Sequence, residues 1–314
     1  MALLYDNPIF LKHETGLHPE CPARLNAISA KLTKEGLTER CDRPRWELAN
    51  RETLGRIHNL AYVDSISRFA AHGGGHVGAD TVMSSESYHV ACSAAGAVVD
   101  ATRRVVTGPD PRSLCLVRPP GHHAIEASAM GFCLFNNVAI AARTATRELG
   151  IDRVLIVDWD VHHGNGTQAA FWEDEQVGFL SIHRSPFYPG TGGADETGAG
   201  KGLGTIRNLP TTFGTPRKVY LDQFTQALEK LARKMRPQLV MISAGFDAHA
   251  RDPVGSLGLE DEDFVTLTER VLDVADQEAD GRMVSVLEGG YNLRILPDSV
   301  AGHLVTLLNR ESNA

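Results

Sequence analysis

The 314 residues include 31 Lys and Arg against 39 Asp and Glu, for a formal net charge of −8 and a pI near 5.9. This acidic balance argues against direct nucleic-acid binding, which requires clustered Lys and Arg, whereas the basic groupings here are short and mixed. A hydrophobic content of 42% and a mean hydropathy of −0.17 are typical of a soluble globular protein, and no run of 18 apolar residues predicts a membrane span.

Five scattered cysteines, without a Cys-x-x-Cys pair, argue against a disulfide framework or a Cys-rich zinc site. The N-terminus lacks the charged and apolar regions of a signal peptide, and Met1–Asp6 instead predicts a first strand. We therefore expect a cytoplasmic protein.

The first third of the chain predicts helices and one flexible loop. Pro22 begins a helix that runs to about Gly36, and apolar residues recur at helical spacing from Arg56. The Gly73–Gly75 run predicts a flexible loop that reaches Asp80. An Ala/Val-rich helix follows over 87–106, and its small residues suggest close packing on a sheet.

A buried strand is predicted at 114–117, followed by the loop Arg118-Pro-Pro-Gly-His-His-Ala124. Adjacent imidazoles in a rigid loop suit proton transfer, where one base near neutral pH and one electrostatic partner are needed. An exposed histidine pair of no chemical consequence explains His122 and His123 equally well in isolation. The next predicted helix covers 138–149.

The chain is organised around 154–168, an apolar strand followed by a polar turn with two glycines. Asp158, Asp160 and His162 are spaced by two, so an extended backbone presents Asp160 and His162 to one point, as a metal site requires. The carboxyl end of a central strand is also where open α/β sheets place ligand sites. Taken alone, these residues could instead cap the following helix.

The second half of the chain continues the alternation. Strands are predicted at 177–183, 239–243 and 282–287, and helices at 220–236, 260–278 and 299–308. The Pro/Gly-rich loop 185–204 is long enough to indicate a function, with Phe187 and Tyr188 in it. Asp247 follows the second of these strands as a candidate third metal ligand, and Tyr291 follows the third strand after two glycines.

Strands and helices alternate throughout, without a linker or an internal repeat. This order predicts one α/β domain over 1–314, with a doubly wound, mostly parallel sheet and helices on both faces.

Asp160, His162 and Asp247 together offer three ligands and leave a coordination position open, the pattern of a catalytic zinc ion. Zinc lowers the pKa of bound water and polarises a carbonyl group. His122 or His123 can then transfer protons, and the Tyr291 hydroxyl can donate to an oxyanion. The residues therefore predict a hydrolase acting on an amide or a similar carbonyl compound.

Six ordered motifs resemble the zinc-dependent histone deacetylase family, in particular its class II and bacterial histone deacetylase-like amidohydrolase branch, and the match runs from His18 to Tyr291. The motifs are Arg118-Pro-Pro-Gly-His-His-Ala124, Gly131-Phe-Cys133, Asp158-Trp-Asp-Val-His-His-Gly-Asn-Gly166, Phe187-Tyr-Pro-Gly-Thr-Gly192, Ser243-Ala-Gly-Phe-Asp247 and Glu288-Gly-Gly-Tyr291. The resemblance implies the arginase–deacetylase fold and one catalytic Zn²⁺ on Asp160, His162 and Asp247.

The resemblance also implies roles for the polar residues around the metal. Asp158 would orient His122 and Asn165 would orient His123, a contact that fixes the tautomer of each ring. His123 is then our choice for the proton shuttle, His122 is mainly electrostatic, and Tyr291 matches the tyrosine of active members.

By the same resemblance, an acyl-lysine stem would lie in a narrow channel. Its walls are Gly131, Phe132 and Tyr188, where Tyr188 replaces the more usual Phe. Structural K⁺ would bind at Asp158, Asp160, His162, Ser181 and Ile182. Arg24 matches a position at the pocket floor, where product acetate would leave.

Other readings of the sequence remain open. An arginase-type enzyme with two metals would need carboxylates where this chain has Gly164 and His249. An acetylpolyamine deacetylase would place an acidic residue after an Asp-Pro pair, where this chain has Val254, although Asp80 could hold a cation at the rim. A binding protein or co-repressor without turnover is the third reading. The expected partner is an acylated lysine peptide or a small acylated amine, and a homo-oligomer is compatible with the sequence.

Overall fold

Strands and helices alternate along the computed structural model, which describes residues 2–310. Met1, the first residue of the first predicted strand, and 311–314, the last residues of the predicted domain, lie outside the described residues. The strands are β1 (Ala2–Tyr5), β2 (Cys41–Asp42), β3 (Gly74–His76), β4 (Val82–Ser84), β5 (Arg112–Cys115), β6 (Val154–Asp158), β7 (Val177–Arg184), β8 (Ile206–Thr211), β9 (Leu239–Ala244) and β10 (Met283–Leu287). The α-helices are α1 (Ala23–Lys34), α2 (Arg51–Leu54), α3 (Leu60–Ala71), α4 (Ser87–Thr107), α5 (Asn137–Glu148), α6 (Asn165–Ala170), α7 (Arg217–Met235), α8 (Asp261–Glu278) and α9 (Leu296–Asn309). Short 3₁₀ helices lie at Pro8–Lys12, Thr38–Arg40 and Gly200–Gly202.

Eight strands form one sheet in the order β2-β1-β5-β10-β9-β6-β7-β8, and every pairing in it is parallel. The central strands β5, β6, β9 and β10 are buried along their whole length, as expected of parallel strands covered on both faces.

The longer helices that cover the sheet form two groups, and each helix contacts mainly the other members of its own group. One group contains α4 and α5, and the other contains α1, α9, α8 and α7 in contact order. The doubly wound, parallel α/β architecture is therefore confirmed. No helix within residues 2–310 combines the length and apolar character needed to cross a membrane.

Two local predictions differ from the structure. The segment predicted as a flexible loop from Gly73 to Asp80 contains half of an antiparallel hairpin, because β3 pairs with β4. Gly74 and Gly75 have positive φ values of 79° and 130°, so the glycines shape the strand where the sequence suggested a break. Edge strand β8 was not predicted, since its Pro210 is unfavourable in a strand except at a sheet edge.

Candidate active site

The polar segments predicted from the sequence meet at one edge of the sheet. They follow β5, β6, β9 and β10, which are neighbours in the order β5-β10-β9-β6. Because parallel strands end on the same side, the loops after these strands converge on one buried site.

Asp160, His162 and Asp247 form the Asp–His–Asp cluster. One ligand atom from each residue lies within 4.8 Å of the other two, and all three side chains are buried. His162 Nδ1 lies 3.0 Å from Asp160 Oδ1 and 3.2 Å from Asp247 Oδ2. The structure thus brings the three predicted metal ligands together.

The cluster fits a metal ion. Apart from the His162 ring at 3.2 Å, the fully buried Asp247 Oδ2 has no hydrogen-bond partner among the described residues, which is costly unless a cation compensates the charge. Space at the carboxylates is kept open by glycine, since a Cβ at Gly289 would lie 2.2 Å from Asp247 Oδ2 and one at Gly245 would lie 2.2 Å from Asp160 Oδ2. Two carboxylates and one imidazole are suitable ligands for zinc.

The two adjacent histidines each have a hydrogen-bond partner behind the ring. His122 Nδ1 lies 2.9 Å from Asp158 Oδ2, and His123 Nδ1 lies 2.7 Å from Asn165 Oδ1. Both partner atoms accept a hydrogen bond, so each Nδ1 carries the proton and donates, and each Nε2 is not engaged by these partners. The ring centroids are 4.0 Å apart.

The surroundings shift the pKa values of these imidazoles in opposite directions. Burial would lower the pKa of His122, but the carboxylates of Asp158 and Asp160 outweigh burial and raise the pKa to about 10. Burial lowers the pKa of His123, and the positive charges of His122 and His162 lower it further. A cation bound at the Asp–His–Asp cluster would reduce the His122 pKa from this value. One cationic and one neutral imidazole is the division of roles that acid–base catalysis uses.

Tyr291 is buried and is held by contacts to its ring and backbone. Its ring lies edge-on to Phe132 at 5.9 Å, and the Arg24 guanidinium lies 5.1 Å from the ring centroid. Arg24 is fully buried and donates to the carbonyl oxygens of Glu288 and Gly290, both at 2.6 Å. Arg24 therefore fixes the backbone that directly precedes Tyr291.

Two of the predicted channel residues, Tyr188 and Gly131, lie against His123. Tyr188 lies edge-on to His123 at 5.2 Å and is 38% exposed, and Phe132 adopts a positive φ of 68°. A Cβ at Gly131 would lie 2.2 Å from the His123 ring, so only glycine fits there. Asp80 Oδ1 accepts from Gly131 N at 3.1 Å, which puts Asp80 beside one of the predicted channel residues. Val254 is half-buried on the loop after Asp247.

The predicted potassium residues lie at the end of β6, directly after it, and in the second half of β7. Asp158 and Ser181 are paired in register, and Ser181 Oγ contacts His183 Nδ1 at 2.9 Å. Ile182 follows in β7, and both β7 residues are buried.

Sequence reasoning assigned no role to two buried carboxylates that support the site. Glu288 Oε2 accepts from Gly121 N at 2.7 Å and from His122 N at 3.3 Å, which fixes the histidine loop. Asp252 Oδ2 accepts from Tyr291 N at 2.7 Å. The available signals were Glu288 in the Glu-Gly-Gly-Tyr motif and Asp252 in the Asp-Pro pair.

Comparisons with known proteins agree with this geometry. Residues 18–307 match the family described as Histone deacetylase domain. The chain is 36% identical to the Histone deacetylase-like amidohydrolase of Pseudomonas aeruginosa, over 89% of this chain and 74% of that protein. It is 41% identical to human Polyamine deacetylase HDAC10, over 98% of this chain and 48% of that protein.

The solved HD domain of HDA15 superposes with a TM-score of 0.93 at 37% identity, covering 99% of this chain and 89% of that domain. The family match, the identities and the shared fold show that this chain belongs to the histone deacetylase family.

Proposed function

We propose that the protein is a zinc-dependent amidohydrolase that removes an acetyl or other acyl group from acyl-lysine or a related acylated amine. Its family supports hydrolysis of amides. The observation that carries the proposal is the convergence of the Asp–His–Asp cluster with two imidazoles, each oriented by an acceptor through its Nδ1.

Asp160, His162 and Asp247 would hold the zinc ion. When bound, zinc would acidify water and polarise the scissile carbonyl group. His123 Nε2 accepts the proton of the attacking water and returns it to the leaving amine, while His122 stabilises negative charge as a cation. The Tyr291 hydroxyl donates to the developing oxyanion.

Gly131, Phe132 and Tyr188 would grip the substrate stem, and the closeness of Tyr188 to His123 supports this role. Structural K⁺ at Asp158, Asp160, His162, Ser181 and Ile182 is part of the proposal. Arg24 would support the pocket floor through the carbonyl groups it binds, with its donors directed at protein oxygens.

The second candidate is an acetylpolyamine deacetylase, favoured by the similarity to a relative named as a polyamine deacetylase. The neutral Val254 after Asp252-Pro253 argues against it, because an acidic side chain there would be needed to attract a second ammonium group. An arginase-type reaction would need further metal carboxylates, and Gly164 and His249 cannot supply them. A binding protein without turnover does not explain why both imidazoles are oriented.

We further propose that 1–314 is a single catalytic domain in the cytoplasm, without direct nucleic-acid binding. The unpaired state of all five cysteines supports a reducing compartment.

The test is a steady-state comparison of an acetyl-lysine peptide, the trifluoroacetyl-lysine peptide and acetylated putrescine with zinc-loaded protein. We expect the peptide to be hydrolysed with a higher kcat/KM than acetylated putrescine. The reverse order would favour the polyamine reading. Removal of zinc by a chelator should abolish turnover and re-addition should restore it, whereas unchanged turnover after complete removal would refute zinc dependence.

A further inference from the structure

One carboxylate connects the Tyr291 segment to the loop that carries Val254. Asp252 is only 8% exposed. Its Oδ1 accepts from the backbone N–H groups of Val254 at 2.9 Å and Gly255 at 3.0 Å, and its Oδ2 accepts from Tyr291 N at 2.7 Å. The two segments are 39 residues apart in sequence, so this side chain helps to fix where one lies relative to the other.

We propose that Asp252 is a positioning residue that aligns Tyr291 for the reaction and couples this alignment to the Val254 loop. The inference rests on the proposed function, because it assigns Asp252 an effect through the Tyr291 hydroxyl. Asp252 itself is not expected to contact the substrate.

The backbone before Tyr291 makes such an anchor necessary. Gly289 and Gly290 precede it, and Gly290 has a φ of 119°, so the chain there has unusual freedom. Arg24 holds the carbonyl group of Gly290 from one side, and Asp252 holds the next amide from the other. Together they fix the peptide that directs the Tyr291 ring. A misplacement of roughly 1 Å in a catalytic group can reduce a rate about 100-fold.

The loop held by Asp252 is also tied to the Asp–His–Asp cluster. Ser256 N donates to the carbonyl oxygen of Asp247 at 2.7 Å, and Arg184 Nη1 donates to the carbonyl oxygen of Gly255 at 2.9 Å. Movement of Val254 would therefore be transmitted through Asp252 to Tyr291. In this way the Val254 loop and the Tyr291 segment respond as one unit.

The isosteric substitution Asp252→Asn can remove the hydrogen bond to Tyr291 while keeping those to Val254 and Gly255. A carboxylate offers two acceptor oxygens, while an amide offers one oxygen and a donor NH₂ group. The amide can satisfy the Val254 and Gly255 N–H groups only by turning its NH₂ group toward Tyr291 N–H. The hydrogen bond to Tyr291 is then lost with little change in side-chain volume.

The experiment compares the wild-type protein, Asp252→Asn, Tyr291→Phe and the double variant on acetyl-lysine and trifluoroacetyl-lysine peptides. The trifluoromethyl group withdraws electrons and stabilises the oxyanion, so its hydrolysis depends less on Tyr291. We expect Asp252→Asn to lower kcat for the acetyl peptide by about 100-fold and to raise the trifluoroacetyl-to-acetyl ratio, as Tyr291→Phe does. The double variant should be no slower than Tyr291→Phe, and zinc content should stay at the wild-type level.

Asn292→Ala is the matched control. Asn292 Nδ2 donates to the carbonyl oxygen of Arg251 at 2.7 Å, a second tie between the same two segments that does not involve the Tyr291 amide. It should leave the substrate ratio unchanged. If Asp252→Asn does not fold, Asp252→Glu, which keeps the charge but displaces the oxygens, undergoes the same ratio test.

An equal loss on both peptides, or a double variant slower than Tyr291→Phe by the full Asp252→Asn factor, would overturn the positioning role and leave the proposed function intact. Failure of the zinc-loaded wild-type protein to hydrolyse either peptide would instead refute the proposed function, and this inference with it.

Discussion

Gly289→Ala should weaken metal binding while leaving the fold in place. The new Cβ would lie 2.2 Å from Asp247 Oδ2 and 2.6 Å from Asp160 Oδ2, at a backbone conformation that alanine can adopt. Normal van der Waals separation requires these oxygens to retreat by roughly 1 Å. Metal–ligand distances tolerate only about 0.2 Å. We therefore expect zinc affinity to fall by about 100-fold or more, which corresponds to about 2.8 kcal/mol.

The assay is zinc per chain at equilibrium with a chelator of known affinity, measured beside the urea unfolding transition. One inserted methyl group should cost about 1–3 kcal/mol of unfolding free energy, so the variant stays folded. Gly302→Ala, in helix α9, is the matched control, since its Cβ would lie 3.2 Å from a Val265 methyl group and far from the carboxylates. Wild-type zinc affinity in Gly289→Ala would refute the assignment of the Asp–His–Asp cluster as the metal site.

Three further outcomes follow from the structure. Asn165→Ala removes the oxygen that accepts from His123 Nδ1 and should lower kcat about 10–100-fold while zinc is retained. Turnover and metal analysis would test this, and an unchanged kcat would contradict the orienting role of Asn165. Val254→Glu should raise kcat/KM for acetylated putrescine relative to the peptide by about tenfold, and an unaltered preference would show that this position does not select charge. Burial lowers the pKa of His303 to about 3 and that of His58 to about 4, so the unfolded chain binds more protons below pH 6.5. Stability from these groups is present above pH 6.5 and is lost as the pH falls toward 4, and His303→Gln should flatten the fall in unfolding free energy over that range.

The fold could be predicted from the sequence wherever the periodicity was strong. Apolar runs such as 154–157 and 239–243 became buried strands, and the long periodic segments became helices with ends shifted by a few residues. The β3–β4 hairpin and β8 were not predictable in this way, because glycine and proline there oppose the local preference for a strand. Pairing with a neighbour decides the conformation of such segments.

The site residues also differ in whether a local sequence pattern could predict them. The cluster ligands share strand ends, so spacing and chain order were enough to bring Asp160, His162 and Asp247 together. Glu288 contacts the histidine loop across 167 positions of the sequence, and Asp252 contacts Tyr291 across 39. No local sequence pattern predicts either contact. Such contacts depend on how distant loops pack.

The position of β10 in the sheet affects how the protein is made. This strand is the last of the sheet in sequence, yet it lies between β5 and β9 and is paired with both. Until it has been synthesised, the strands β2-β1-β5 and β9-β6-β7-β8 have no shared partner and remain two separate ribbons. A nascent chain lacking β10 therefore has neither a continuous sheet nor Tyr291, so the proposed chemistry requires this late strand to insert between β5 and β9.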